Sequence, residues 1–427
     1  MITSRSSGLE GQLPPSQTEL KIALLTGCRD RHYAFGLMTA LISRGLSLDV
    51  IGSDEIDSPE LHRSPCLRFL EFESWPARKV SFVKKTLRLL NYYARLLPYA
   101  AAAEPEIFHI LWNYRLEYFD RTLLMLYYKL LGKKVVLTAH NINAGKRDSN
   151  DSWLNRLTLR IQYRLTDHFF VHTSKMKTEL VADFHVPERN VTLIPFGINN
   201  ALPDSGLTRA EARQQLGIGD ADNTILFFGN LGPYKGVDLL VSAFQRIAAT
   251  NAKYRLIIAG KPRGGCEKYV AGIEEAIRNS GIQSQVQLRI GFVPDDRLEA
   301  YFKAADLLAL PYRFISQSAV LFMAYSFGLP VVATDVGCFS EDVIEARTGF
   351  VCKPDDPVDL ADAIERYFAS DLYQSLDKRR QEIRDYANER YSWEKVSELT
   401  LNAYKGLLQD QEPIRPRADD LQTENRT

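Results

Sequence analysis

Residues 224–238 read TILFFGNLGPYKGVD, and this stretch decides the fold because it joins a strand, a glycine-bearing loop and a helix start. The apolar run before Gly229 predicts a buried strand, and the pattern of Val237–Ala248 predicts the helix that follows. Free amides at the start of a helix attract anions, and Lys235 adds a positive charge beside them. The stretch is neither a Walker loop nor a Gly-x-Gly-x-x-Gly loop. It has the outline of a diphosphate site, although a tight turn with a surface lysine explains it equally well.

A second anion site is indicated at 306–341. A strand ends at Pro311, a polar loop follows, and an apolar helix runs to Gly328. The loop places Gln317 and Ser318 at the helix N-terminus, where the first amides have no partner within the helix. Two such loops after two strands of one sheet suit a nucleotide diphosphate better than a single phosphate.

Apolar runs alternate with helical patterns along most of the chain. The runs lie at 20–25, 46–51, 107–111, 135–138, 169–171, 191–194, 225–228, 255–259, 286–290, 307–310 and 330–334. This alternation predicts an α/β protein of two doubly wound, Rossmann-like domains that face each other across a cleft. The predicted segments are a flexible N-terminus (1–19), an N-terminal domain (20–200), a C-terminal domain (201–391), a helix (392–408) and a disordered tail (409–427). Turn-forming residues at 199–208 indicate the linker between the domains.

Polar residues follow two strands of the first half. His140 comes directly after the strand in VVLTAHN (135–141), so it is expected to point into the cleft. All seven histidines lie at or before position 185, so a histidine at the site must come from this half. Gly27 opens the polar segment GCRDRHY, which suits contact with an acceptor or a diphosphate, or a solvated loop.

Composition excludes several classes of protein. The 427 residues include 53 Lys+Arg and 53 Asp+Glu, and this neutral balance argues against binding to nucleic acid by the whole protein. Five dispersed cysteines form no Cys-x2-Cys pair, so neither a disulfide framework nor a zinc site is indicated. The Asp220-x-Asp222 pair is interpreted as a surface turn, and no metal site is expected. We expect a cytoplasmic protein.

Basic residues concentrate in the first half. Residues 76–170 hold 16 Lys/Arg against 7 Asp/Glu. Within them, the segment 78–99 interleaves Lys84, Lys85, Arg88 and Arg95 with aromatic and aliphatic residues. Such a helix is typical of docking on an anionic membrane surface, here the inner face of the cell membrane, or of a solvated helix packed on its own domain.

Together these segments resemble the GT-B glycosyltransferases, specifically glycosyltransferase family 4. The resemblance is carried by FGNLGPYKGVDLL (228–240), GLPVVATDVG (328–337) with Glu341, and LTAH (137–140). It implies transfer of a hexose from a nucleotide-diphosphate sugar with retention, without a required metal or cofactor. It also implies that Lys235 neutralises the leaving diphosphate, that His140 lies near the transferred sugar, and that the helix at 392–408 crosses back onto the N-terminal domain.

The resemblance also defines the expected site and its departures from the family pattern. His140 and Lys235 are the expected catalytic residues, and the expected donor-binding residues are Gly27, Gly229, Asn230, Lys235, Ser316, Gln317, Ser318 and Glu341. Many relatives carry Glu-x7-Glu where this chain has Ile315 and Met323, while Gln317-Ser318 resembles a variant loop. The expected acceptor is a glycan or lipid-linked sugar of cell-envelope or exopolysaccharide assembly. A non-catalytic nucleotide- or glycan-binding relative and a nucleotide-sugar epimerase remain open as alternatives.

Overall fold

The computed structural model describes residues 20–54, 56–57, 61–73, 81–147, 150–198 and 205–409. The predicted flexible N-terminus (1–19), residues 410–427 of the predicted tail, residues 199–204 of the linker and residues 78–80 of the basic segment lie outside the described residues. The described chain forms two parallel sheets, one of seven strands and one of six.

The first sheet contains strands β1 to β7 in the order β3-β2-β1-β4-β5-β6-β7. The strands are β1 Lys21–Leu25, β2 Ser47–Ser53, β3 Leu67–Glu73, β4 Ile107–Ile110, β5 Lys134–Thr138, β6 His168–Val171 and β7 Val191–Leu193. The helices between them are α1 Arg31–Ser43, α2 Phe82–Ala102, α3 Glu117–Phe119, α4 Met125–Leu130, α5 Ala144–Arg147, α6 Trp153–Leu165 and α7 Ser174–Phe184. A π-helical turn, Asp120–Leu124, joins α3 to α4.

The second sheet contains strands β8 to β13 in the order β10-β9-β8-β11-β12-β13. The strands are β8 Asn223–Phe228, β9 Tyr254–Gly260, β10 Val286–Ile290, β11 Leu307–Leu310, β12 Val331–Thr334 and β13 Gly349–Cys352. The helices are α8 Arg209–Leu216, α9 Val237–Thr250, α10 Glu267–Asn279, α11 Asp295–Ala304, α12 Ala319–Ser326, α13 Phe339–Asp342, α14 Pro357–Ala369, α15 Asp371–Gln374, α16 Leu376–Arg390 and α17 Trp393–Gln409.

The predicted pair of doubly wound parallel sheets is confirmed. Two strands had escaped the sequence analysis, namely β3 at an edge of the first sheet and β13 at an edge of the second. Edge strand β3 reads LRFLEFE, so its apolar residues alternate with charged ones instead of forming the continuous run that marks a doubly covered strand. β13 is only four residues long and begins with glycine. None of the described helices is long and apolar enough to cross a bilayer.

The last helix, α17, leaves the second domain and packs on the first. Val396 and Tyr404 of α17 belong to the apolar cluster on the β1 face of the first sheet. The hydroxyl of Tyr404 lies 2.5 Å from Nδ1 of His109, which is fully buried in β4. The domains also meet through Phe196 and Phe322, whose rings stack with centroids 5.3 Å apart. The chain therefore crosses between the two sheets twice, and the carboxyl ends of both sets of strands carry the loops described next.

Candidate functional site

The loop after β8 has the turn that its glycines predicted. Gly229 has φ +123°, one 3-10 turn spans Pro233–Lys235, and Gly236 begins α9 with φ +64°. A Cβ at Gly236 would collide with the backbone carbonyl of Pro311, at the end of β11. Glycine therefore serves twice here, since it adopts the left-handed conformation and it lets the loops after β8 and β11 approach each other.

Lys235 lies inside this junction. Its side chain is largely buried, and its ammonium nitrogen is 3.6 Å from the centre of the Tyr312 ring. The ring of Tyr234 is also close, at 5.3 Å. An ammonium group over an aromatic face is held electrostatically, and the attraction grows when water is excluded. The charge of Lys235 is thus fixed in position at the mouth of the loop.

Arg313 joins the same two loops and was not singled out from the sequence. Its guanidinium donates two hydrogen bonds to Asp238, at 2.8 and 2.7 Å, and one to Asp355 at 2.7 Å. Its backbone N–H donates to the carbonyl of Tyr234 at 2.8 Å. Burial by itself would raise the pKa of Asp238, but hydrogen bonds from Arg313 and Tyr269 hold it below its ordinary value. The paired charges keep the start of α9 fixed against the end of β11.

These two loops, with residues that follow β9 and β10, line a cavity of about 400 Å³ in the second domain, which we call the donor-side cavity after the donor-binding residues predicted there. Five of the predicted donor-binding residues line it, namely Gly229, Asn230, Lys235, Gln317 and Ser318. The Oε1 atom of Gln317 is buried and accepts no hydrogen bond from the described residues. Ser318 is the N-cap of α12, so the first amides of that helix lie beside the cavity. Of the predicted residues in this loop, Ser316 is not among those that line the cavity.

A second cavity, of about 450 Å³, lies at the carboxyl ends of β4 and β5 in the first domain. It is lined by His140 and Trp112, whose rings stack at 4.2 Å with planes 6° apart. Gly27 supports this wall, because a Cβ there would collide with the carbonyl of Trp112. Arg263 of the second domain also lines the cavity, and its guanidinium lies 5.5 Å from the ring of Tyr234. Arg263 therefore brings the first-domain cavity next to the loop that carries Lys235.

The imidazole of His140 is held on several sides. Nδ1 of His140 is 3.1 Å from Nε2 of His172, and the Tyr33 ring meets the imidazole edge-on at 4.7 Å. Burial, together with the nearby His172 and His109, holds the pKa of His140 well below its ordinary value. The ring is therefore neutral at pH 7. Its Nε2 atom is buried and has no hydrogen-bond partner among the described residues.

Glu341 faces the first domain instead of the donor-side cavity. Its carboxylate accepts hydrogen bonds from the backbone amides of Ser174 and Lys175, at 2.9 and 3.2 Å. These amides are the first of α7, where a negative charge is stabilised by the helix dipole. The ammonium group of Lys175 forms an ion pair with Asp335 at 3.3 Å, beside this contact. A donor contact for Glu341 stays a prediction, and its role in this structure is to link the domains.

Three other positions singled out in the sequence have contacts within the second domain. Ile315 and Met323, which replace the glutamates of many relatives, are partly buried against the core of the second domain. Asp222 accepts a hydrogen bond from the Gly219 amide at 2.8 Å and pairs with Arg255 at 3.3 Å, as expected for a turn. Among the residues that the structure describes, no three His, Cys, Asp or Glu side chains are grouped as metal ligands.

Several residues at the cavities were missed in the sequence. Lys261 lines the donor-side cavity, and Arg263 lies two positions further along the loop after β9. That loop reads GKPRGG at 260–265, a glycine-rich basic segment directly after a strand, and this signal was available. Trp112, Arg313 and His172 gave no such signal, because each acts through a partner that is distant in the sequence.

Comparison with known proteins identifies the class and the family. A family model described as glycosyl transferases group 1 matches residues 208–390, and one described as Glycosyltransferase Family 4 matches residues 31–202. Sucrose-phosphate synthase from Thermosynechococcus elongatus superposes with a TM-score of 0.72 at 20% identity, over 92% of this chain and 100% of that chain. HepE of Anabaena, solved with UDP and glucose, superposes with a TM-score of 0.69 at 18% identity, over 91% of this chain and 100% of that chain. The fold is that of the GT-B glycosyltransferases.

Curated relatives agree with this class. An uncharacterised glycosyltransferase of Methanocaldococcus jannaschii is 30% identical over 237 residues, which are 55% of this chain and 58% of that protein. A D-inositol 3-phosphate glycosyltransferase of Gordonia bronchialis is 24% identical over 393 residues, which are 88% of this chain and 83% of that protein. The chain spans little more than half the length of the first of these. The chain belongs to the family-4 glycosyltransferases, with the Family 4 model matching its first half and the group 1 model its second half.

Proposed function

We propose that this protein transfers a hexose from a nucleotide-diphosphate sugar to a glycan or lipid-linked acceptor, with retention at the anomeric carbon. The observation that carries the proposal is the donor-side cavity, where a buried lysine and the start of α12 lie together. A leaving diphosphate gains negative charge as the glycosidic bond breaks. Fixed positive charges and backbone amides stabilise this developing negative charge most strongly when water is excluded from the site.

The state of His140 argues against this histidine as the base of an inverting transfer. A catalyst that inverts the anomeric centre needs a base to take the proton of the acceptor hydroxyl. A histidine whose pKa lies well below its ordinary value is a weak base at neutral pH. His140 suits a hydrogen bond to the transferred sugar better than the removal of a proton.

The residues that line this cavity also bear on the two alternatives, an epimerase and a non-catalytic relative. An epimerase needs acidic groups beside the sugar, and no carboxylate is among the residues lining the donor-side cavity. The carboxylate that lines the first-domain cavity, Glu117, is paired with Arg121 at 2.9 Å. The replacement of the family's glutamates by Ile315 and Met323 favours a non-catalytic relative. Lys235 lines the same cavity as the buried Gln317 Oε1, which accepts no hydrogen bond from the described residues, and this favours a working donor site.

Nucleotide binding is the first prediction. We expect uridine, guanosine or adenosine diphosphate, tested separately, to raise the thermal unfolding temperature, with a clear preference for one base. Ligand at 100 times its Kd stabilises the bound state by about 2.7 kcal/mol.

A Gln317→Leu variant, which removes the buried Oε1 acceptor, is expected to bind the preferred nucleotide more weakly. An Asp362→Asn variant, altered on an exposed part of α14, serves as the matched control. No shift with any of the three nucleotides would contradict the donor site and would favour a non-catalytic relative that binds a glycan instead of a nucleotide.

Helix α2 supports an acceptor presented at a membrane surface. Phe82 is 83% exposed at the start of α2, and Val83, Leu87 and Leu90 are also exposed. Two other helices of the first domain add exposed apolar side chains, Leu130 of α4 and Trp153 of α6, at 77% and 73% exposure. Lys84 and Lys85 are exposed among these apolar residues. The combination of apolar side chains and positive charges on one domain suits an anionic lipid surface.

Arg95 belongs to this basic segment but has an intramolecular contact. Its guanidinium lies 4.7 Å from the Phe72 ring of β3. The basic residues proposed to meet lipid are therefore Lys84, Lys85 and Arg88, on the first two turns of α2.

Membrane binding is the second prediction. The protein is expected to sediment with vesicles of phosphatidylcholine and phosphatidylglycerol in a 3:1 ratio, and to release them as salt rises. A basic residue near such a surface contributes about 1 kcal/mol. Reversal of Lys84, Lys85 and Arg88 to glutamate should therefore weaken binding by at least about 100-fold. A control with Lys253, Arg289 and Lys378 reversed carries the same charge on exposed parts of the second domain. Equal loss in both variants, or binding by neither wild type nor control, would contradict the lipid surface.

A further inference from the structure

Three groups form a hydrogen-bonded chain behind the first-domain cavity. Nδ1 of His172 is 3.3 Å from the backbone carbonyl oxygen of Ile194. Nε2 of His172 is 3.1 Å from Nδ1 of His140. His172 follows β6 directly and is buried, so this chain runs inside the domain and ends at the cavity wall.

The carbonyl of Ile194 determines the direction of these hydrogen bonds. A carbonyl oxygen only accepts, so the proton of neutral His172 is on Nδ1 and its Nε2 is an acceptor. Burial lowers the pKa of His172 to about 4, and it lowers the pKa of His140 as well. Both rings therefore carry one proton at pH 7. Nδ1 of His140 must then donate to His172, which leaves a lone pair on Nε2 of His140.

We infer that His172 is a positioning residue, which holds His140 in the Nδ1–H tautomer so that Nε2 accepts a hydrogen bond from a hydroxyl group of the donor sugar. Nε2 of His140 is buried, lies at the cavity and has no partner among the described residues. A buried acceptor of this kind is normally satisfied, and a sugar hydroxyl is a donor of suitable size. The stacked Trp112 ring and the edge of Tyr33 prevent the imidazole from turning over. The hydroxyl partner rests on the proposed function, whereas the tautomer does not.

The tautomer is tested without substrate, by long-range ¹⁵N–¹H correlation spectra of ¹⁵N-histidine-labelled protein. Comparison with a His140→Asn variant assigns the His140 signals. We expect wild-type His140 to be protonated on Nδ1. His172→Leu removes the acceptor, so the proton of His140 should move to its Nε2 atom. In His172→Gln the amide oxygen can still accept, so the proton of His140 should stay on Nδ1. His168→Leu is the matched control, because His168 is also a buried histidine but pairs with Thr192. Protonation of wild-type His140 on Nε2, or no change in His172→Leu, would overturn the inference.

The role in positioning is tested by donor turnover, measured as nucleoside diphosphate released from the preferred nucleotide sugar. A hydrogen bond between neutral groups is worth about a factor of 10 at most. We therefore expect kcat/KM to fall about 10-fold in His172→Leu and to recover most of that loss in His172→Gln. If kcat/KM is unchanged in a His172→Leu protein whose His140 proton has moved to Nε2, the positioning role is contradicted. Absence of turnover in the wild type, with the expected spectrum, would refute the proposed function and leave the tautomer standing.

Discussion

Replacement of Lys235 by methionine is expected to lower the turnover of the nucleotide-sugar donor by about 100- to 1000-fold, the usual cost of removing one preorganised donor to a developing negative charge. Methionine keeps the aliphatic packing against Tyr312 and removes only the ammonium group. The diphosphate gains charge between bound donor and transition state, so the loss should appear mainly in kcat. The measurement is the steady-state release of nucleoside diphosphate.

The matched control for this prediction is Lys253→Met. Lys253 is an exposed lysine in the turn before β9, outside the residues that line the donor-side cavity. It should leave kcat within about twofold, as expected for a surface substitution. Equal thermal unfolding of both variants and wild type shows that the loss does not arise from misfolding. Full turnover by Lys235→Met would rule out the proposed role of this lysine in neutralising the leaving group.

Replacement of Asp306 by asparagine is expected to lower the free energy of unfolding by about 3–5 kcal/mol, the cost of leaving a buried charge without its partner. Asp306 accepts hydrogen bonds from Arg213 at 2.8 Å, from Arg209 at 2.5 Å and from the Thr224 amide at 2.8 Å. The side chains of Arg213 and Asp306 are both fully buried. The group joins α8 to the starts of β8 and β11, beneath the two loops of the site.

Chemical denaturation followed by circular dichroism measures this loss. The control is Asp362→Asn, which breaks an exposed ion pair with Arg246 of 4.0 Å. Exposed pairs contribute about 0–1 kcal/mol, so the control should unfold at nearly the wild-type denaturant concentration. An Asp306→Asn protein as stable as the control would mean that Arg213 is satisfied by the backbone carbonyls of the 219–222 turn, which it also contacts.

Much of the donor-side cavity was predictable because its parts are local in sequence. Gly229, Asn230 and Lys235 lie in one strand-loop-helix unit, and Gln317 and Ser318 lie in another. In a parallel sheet the carboxyl ends of adjacent strands share an edge, so the two units meet once β8 pairs with β11. His140 was placed at the other cavity by the same rule. β3 escaped because its apolar residues are interrupted by charged ones, and β13 because it is only four residues long and begins with glycine.

The sequence by itself determined two doubly wound domains, the glycine-bearing loop with Lys235, the polar start of α12 and the place of His140. Each of these follows from hydrophobic periodicity or from backbone groups that are free at a helix start. Only the tertiary structure decided that Glu341 binds the first amides of α7, that Arg313 joins two loops, and that His172 directs the proton of His140. These residues act through partners up to 167 positions away. A carboxylate, guanidinium or imidazole has the same local sequence signal whether it binds a ligand or another part of the chain, and the packing of the two domains selects between them.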